Sequence, residues 1–227
     1  MHAPATPGVG YGPLATEPGT SVKSPQLKTE VQEFKRRRIL EQSRELFYSL
    51  GYEATTLDLI AEGLQVTKPF IYSYFKNKAE ILRAICEVGI RNSLQALDQA
   101  LATDLPPREK LRAIVERVTT IVIENQKYIV VYEREEKNLS AREAKQLMGL
   151  RKEFGLRLAK LLESGTRSGD FDVDDPLLTA VSIGGLLTWS ASWYRPLGKW
   201  SQTEVTMHMI RNVDRMVCKR SGAEAKK

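Results

Sequence analysis

From Val66 to Lys78 the chain reads Val-Thr-Lys-Pro-Phe-Ile-Tyr-Ser-Tyr-Phe-Lys-Asn-Lys. Two phenolic hydroxyls, small hydroxyls and three lysines crowd into one short segment. On a helix, Lys68 and Tyr72 stand four residues apart and share a face. Side chains of these types read a polyanion. Ammonium groups meet phosphate oxygens, hydroxyls bond to base edges, and a ring such as Phe70 packs on thymine methyls. A helix narrow and polar enough to enter a DNA major groove has this make-up.

Catalytic chemistry finds no comparable foothold. No HExxH, GxSxG, GxGxxG or Walker pattern is visible. Histidine occurs only as His2 and His208, so a histidine-based metal centre is not expected. Cys86 and Cys218 are far apart and have no CxxC spacing, which makes neither a zinc site nor a disulfide framework. No cofactor or metal is expected. The rival reading is an all-α enzyme acting on an apolar or acyl substrate without a recognisable catalytic motif.

Net charge of +6 and a pI near 9.3 fit a polyanion binder but also many other proteins. The charge is not gathered near the candidate helix: from Lys28 to Val88 there are ten Lys/Arg and nine Asp/Glu. DNA affinity must therefore come from where charges stand. Unpaired thiols and the lack of a charged n-region followed by an apolar h-region predict a reduced, cytoplasmic setting. Pro176 to Tyr194 carries no charge and is about long enough to span a bilayer. Its Thr179, Ser182, Thr188, Ser190, Ser192 and Gly184-Gly185 lower its hydrophobicity, so it reads as a buried interface helix, with no membrane partner.

The elements that must position these residues are all helices. Residues 1–28 hold five of the ten prolines and four of the fifteen glycines, which predicts a disordered tail. Helix starts are marked by Thr29-x-x-Gln32, Thr55-x-x-Asp58, Asn77-x-x-Glu80, Ser140-x-x-Glu143 and Ser201-x-x-Glu204, and by Asp175-Pro176. Gly51 and Gly165 read as helix ends. The map runs Thr29–Leu50, with Ile39, Leu46, Phe47 and Leu50 on the core side, then Leu57–Gly63. A turn at Leu64-Gln65-Val66 leads into Lys68–Phe75, followed by Lys78 to about Ala102. Further helices start at Pro106-Pro107 and run over Gln126–Lys137. Leu147, Leu150, Phe154, Leu158 and Leu161 stripe a long helix. Pro176–Tyr194 and Thr203–Arg220 complete the map.

A three-residue turn between two short helices is the spacing of a helix-turn-helix. Together with Arg38-Ile39-Leu40, Leu46-Phe47, Gly51-Tyr52, Thr55-Thr56, Ile60-Ala61, Val66-Thr67 and Tyr72-x-Tyr74-Phe75-x-x-Lys78, it resembles the TetR family of bacterial transcriptional regulators over roughly residues 33 to 82. The resemblance implies an all-α protein. An N-terminal three-helix DNA-binding domain (29–76) is joined by a long helix to a helical ligand-binding and dimerisation domain (77–227). It implies operator contacts from Thr55, Thr56, Thr67, Lys68, Tyr72, Tyr74 and Lys78, with Phe70 and Ser73 reading bases. Taken alone Tyr72, Tyr74 and Phe75 read as core aromatics; the surrounding pattern turns the tyrosines outward, and Phe75 stays in the core. Two departures stand out. Gln65 replaces the usual turn glycine, so a non-glycine residue must go left-handed. Pro69 removes a backbone N–H from the first turn of the recognition helix. Lys35-Arg36-Arg37-Arg38 reads equally as a solvated helix end or a phosphate-binding arm.

The charge-free helix and the last helix, with Val205, Met209, Val213 and Met216, are too apolar for solvent. The resemblance pairs these helices across a two-fold axis in a homodimer, the alternative being a core within one chain. Trp189, Trp193 and Tyr194, with Arg195 beside them, form the richest aromatic cluster outside the DNA unit. They read as interface or core anchors, or as contacts of a small-molecule effector together with Tyr128, Tyr132 and Arg134. The Trp-x-x-x-Trp-Tyr-Arg-Pro segment resembles one in family repressors that answer to acyl-CoA thioesters, implying an acyl-CoA or lipid-like ligand that relieves operator binding. Arg195 would take its phosphates.

Overall fold

The structure, a computed structural model, describes residues 25–218, Pro25 by its backbone alone. Among the described residues the regular structure is entirely helical. The helices are α1 (Pro25–Leu50), α2 (Leu57–Gly63), α3 (Lys68–Tyr72), α4 (Lys78–Leu101), α5 (Pro107–Glu124), α6 (Gln126–Glu135), α7 (Ala141–Ser168), α8 (Pro176–Trp193) and α9 (Gln202–Val217). A 3-10 turn, Glu136–Asn138, follows α6. The chain divides between Lys35 and Arg36 into two compact units, the second of which holds the later turns of α1 and every helix after it. The expected tail falls mostly outside the described residues, but Pro25 to Lys28 are helical. Thr29 therefore lies inside α1 rather than at its start.

Side-chain caps define most helix starts. Ser140 and Ser201 form complete capping boxes with Glu143 and Glu204. Asp175 accepts from the Leu178 N–H at 2.9 Å, ahead of Pro176. Asn77 caps α4, but Glu80 accepts from the Lys76 N–H rather than completing a box. The cap of α2 is Thr56, one residue later than the Thr55 box suggested. Gly51 takes φ +84°, as a C-terminal glycine should. Gly165 does not: α7 runs on to Ser168 and ends at Gly169, with φ +85°. Gly165 serves packing instead, because a Cβ there would collide with the Phe171 ring.

Two apolar clusters hold the second unit together. One gathers Ile39, Phe47, Ile60, Ile71, Phe75, Ile81 and Ile85 around α1–α4, reaching Tyr128, Val131 and Leu147. The other packs α5, α7, α8 and α9 around Leu111, Ile114, Leu158, Ile183 and Val213. The expected α7 stripe is buried apart from Leu150, which is half-buried against the second cluster. Leu50 departs from expectation and is exposed, beyond the last turn that packs. Val205, Met209 and Val213 lie inside this chain's own core, so for them the intrachain alternative holds; Met216 is exposed. Among the described residues no helix is long and apolar enough to cross a membrane.

Candidate nucleic-acid interface and effector cavity

The turn between α2 and α3 is built from backbone hydrogen bonds. Leu64 N–H donates to Ile60 O (3.2 Å), Gln65 N–H to Glu62 O (2.9 Å) and Val66 N–H to Ala61 O (2.9 Å). Gln65 sits at φ +56°, the left-handed conformation foreseen for a residue standing where glycine is usual. Thr67 precedes α3 but makes no side-chain cap bond, and Pro69 in the first turn has no N–H to offer. The helix is shorter than expected, ending at Tyr72 instead of Phe75.

Ile71, with Phe75 just past the helix, anchors α3 in the core and leaves Lys68, Tyr72 and Ser73 toward solvent. Lys68, Tyr72 (51% exposed) and Ser73 lie exposed, with Thr56 and Thr67. Phe70 and Tyr74 are half-buried and tilt against each other with ring centroids 5.2 Å apart. Ser73 Oγ donates to Phe70 O at 2.7 Å, leaving its oxygen to accept. Lys68 Nζ sits 2.8 Å from Asp58 Oδ2, and that hydrogen bond raises the lysine pKa. Sequence reasoning counted Asp58 only as a capping acid and missed this pair. The spacing from α2 to α3 gives no hint of it.

Two expected contacts are corrected. Thr55 is fully buried; its hydroxyl donates to Gly51 O (2.8 Å) and its N–H to Tyr52 O (3.3 Å), so neither remains for a phosphate. Lys78 Nζ donates to Tyr52 O (2.7 Å) and Thr55 O (2.9 Å) and lies 4.2 Å from the Tyr52 ring centroid. Its ammonium ties α4 to the α1–α2 loop. In the basic run, the Arg36 guanidinium stands over the Phe75 ring (4.8 Å), while Arg37 and Arg38 pair with Glu41.

The middle turns of α4 help wall a cavity of about 840 Å³, within the range that suits a drug-sized ligand. α4 contributes Cys86, Gly89, Ile90 and Ser93; α5 Val118 and Val122; α6 Tyr128, Ile129 and Tyr132; α7 Leu147, Phe154 and Gly155; α8 Ala180, Val181 and Trp189. Burial pushes the Cys86 thiol up to about 12 and raises the Tyr128 and Tyr132 hydroxyls, so this wall is uncharged at neutral pH. Arg151, Lys152, Glu133 and Glu136 supply the charge, with Arg151 stacked over Tyr132 at 4.3 Å. No group of three His, Cys, Asp or Glu among the described residues is placed to hold a metal ion.

Of the expected ligand residues, Tyr128, Tyr132 and Trp189 line this cavity, whereas Trp193, Arg195 and Arg134 do not. Trp193 meets Trp200 edge-on at 6.2 Å, making it the anchor it was otherwise read as. Arg195 folds back onto Ser192 O (3.2 Å) and Tyr194 O (2.8 Å), capping α8. A helix that ends in its own aromatic cluster turns Arg195 away from the space that the preceding turns enclose. Arg134 reaches Tyr48 instead. Arg151 and Lys152, missed from sequence, were hidden because charges on a long amphipathic helix read as its solvated face.

A helix-turn-helix joined to a helical half around one cavity is the arrangement found in known regulators. Residues 39–85 match the family described as "Bacterial regulatory proteins, tetR family", and residues 104–217 match "Tetracyclin repressor-like, C-terminal domain". The transcriptional repressor KstR2 of Rhodococcus jostii is 26% identical over 166 residues, covering 72% of this chain and 81% of that protein. The structure of the TetR-family regulator PfmR from Thermus thermophilus superposes with a TM-score of 0.71 at 30% identity, over 78% of this chain and 97% of that one. AibR, solved with isovaleryl coenzyme A and operator DNA, gives 0.66 at 25% identity, over 78% and 96%. With both halves matched the enzyme reading falls away, and the chain belongs to the TetR family of bacterial DNA-binding transcriptional regulators.

Proposed function

We propose that the chain is a homodimeric repressor whose operator binding is relieved by an acyl-CoA or similar lipid-derived ligand. The observation that carries this reading is an exposed polar α3 in the same chain as a largely apolar cavity edged by Arg151, Lys152, Glu133 and Glu136 and walled in part by α4. In this reading residues 29–76 form the DNA-binding domain and 77–227 the ligand-binding and dimerisation domain. Lys68, Tyr72 and Ser73 face the major groove, Thr56 and Thr67 meet phosphates, and Phe70 and Tyr74 contribute their partly exposed ring edges. Lys78 and Thr55 act by holding the loop that presents Thr56.

The acyl part of the ligand lies against Val118, Val122 and Phe154, and its phosphates meet Arg151 and Lys152 in place of Arg195. The coenzyme A thioester in the AibR structure supports that class. α8 supports the dimer: on a helix without charge, Leu178 (64% exposed) stands outside the cavity wall, next to Val181 and Trp189 at the cavity's edge. The space beside Gly184 and Gly185 opens onto the cavity, so the dimer face would lie on the side of α8 that carries Leu178. Pairing also supplies what one short α3 lacks, a second half-site.

The test is a gel shift with the DNA upstream of the protein's own gene, across a salt series, with and without isovaleryl-CoA. A specific shift that weakens steeply with salt is expected. Tyr72→Ala should lose about 100-fold in operator affinity, the upper range for one lost base contact, with the dimer intact. No specific shift at low salt overturns the DNA face assigned to α3. A specific shift that neither isovaleryl-CoA nor longer thioesters reduce overturns the ligand class.

A further inference from the structure

Asp58 puts a carboxylate on the face that is proposed to meet DNA. Its Oδ2 lies 2.8 Å from Lys68 Nζ, and the two side chains remain 68% and 43% exposed. They come from different helices, the first turn of α2 and the first residue of α3. The fold makes little use of this acid. An exposed ion pair contributes little to folding. The α2 cap is already supplied by Thr56, whose hydroxyl accepts from the Leu59 N–H at 3.2 Å. Against DNA, a carboxylate is repelled by phosphates and loses hydration. Such a group is tolerable only where the DNA offers it a donor. In the major groove the donors are the amino groups of cytosine and adenine.

We propose that Asp58 and Lys68 act as one unit that reads a G·C base pair in each operator half-site. Lys68 donates to guanine O6 and N7, and Asp58 accepts from the cytosine N4 amino group. The proposal rests on the reading that α3 lies in the major groove. A G·C pair presents two acceptors on guanine beside one donor on cytosine. Guanine O6 and cytosine N4 are hydrogen-bonded to each other, about 3 Å apart. That spacing matches the 2.8 Å between the ammonium and the carboxylate. Bonding to Oδ2 uses one of the three ammonium protons; two remain for guanine, and Oδ1 is left to accept from cytosine. An A·T pair has a similar neighbouring acceptor and donor in thymine O4 and adenine N6. It gives the ammonium one acceptor instead of two, however, and sets the thymine methyl against the charged pair. Because Asp58 already holds the lysine, less side-chain freedom is lost when DNA arrives.

The test is selection of bound sequences from random duplex DNA with the full chain, followed by affinities for single-base-pair variants from fluorescence anisotropy. Wild type is expected to show one G·C position per half-site whose replacement by A·T costs about tenfold, toward the low end of what one base contact discriminates. With Asp58→Ala the same replacement should cost less than about twofold, and the other positions should keep their preferences. Lys68→Ala should lose its preference at that same position. A role confined to tethering Lys68 or to favouring the α2 helix would scale the affinity for every sequence alike. Base preferences of Asp58→Ala identical to those of wild type at every position therefore overturn the proposal, as does a lost preference that is not for G·C. If no sequence is selected at all, the DNA face assigned to α3 fails and the proposal with it. Enrichment of a sequence indifferent to Asp58 sinks the proposal alone.

Discussion

Lys78 shows how a residue can be found for one reason and act for another. Family resemblance singles it out as a phosphate binder, yet its ammonium is held by Tyr52 O and Thr55 O and covered by the Tyr52 ring. Hydrogen bonds from a charged donor contribute about 1.5–3 kcal/mol to stability. Lys78→Ala is therefore expected to lower stability by about 2 kcal/mol and to weaken operator binding by displacing Thr56, with both losses following the same loop. Urea unfolding and a gel shift on the one variant check this; unchanged stability with lost binding would return Lys78 to the phosphate. The sequence was legible where a residue type is demanded by local backbone, as at Gly51 and Gln65. It was silent where a partner comes from far along the chain. Glu135 meets Tyr52 from 83 residues away, and no local pattern records that.

Helix boundaries were legible because their causes are local: a hydroxyl or carboxylate two or three residues ahead of a free N–H. α7 carries both kinds of end. Ser140 and Glu143 close a complete box at its start, and Gly169 takes φ +85° at its finish with open space where a Cβ would go. Ser140→Ala and Gly169→Ala are each expected to cost about 1 kcal/mol, the first through the lost cap and the second through left-handed strain alone. The hydrogen bond from Ser140 holds the Glu143 carboxyl below the ordinary carboxylate value. Its contribution is complete above that ordinary value and disappears as pH falls through the lowered one. The cost of Ser140→Ala should thus shrink in acid while that of Gly169→Ala stays constant, as urea titrations at neutral and acid pH would reveal. Gly165 was misread because a glycine needed for close packing and one needed for a turn look alike in a sequence.

At the scale of the molecule the open question is α8. It has no charge between Pro176 and Tyr194, yet Leu178, Val181 and Trp189 remain exposed in the single chain. Leu178→Glu lies outside the cavity wall and buries nothing in the monomer. It is expected to shift the sedimenting species from twice 25.6 kDa to one chain, with helicity kept and operator binding lost. A dimer that survives the substitution would move the two-fold axis elsewhere. The sequence by itself determined the all-helical class, most helix starts and the helix-turn-helix, because propensity, capping and hydrophobic period act over one turn of chain. Only the tertiary structure decided which polar groups face outward. It buried Thr55, tied Lys78 to carbonyls, turned Arg195 away and brought Arg151 and Lys152 to the cavity. The reason is physical: a side chain's type sets the bonds it is able to make, whereas burial and partners depend on helices packed from distant parts of the chain.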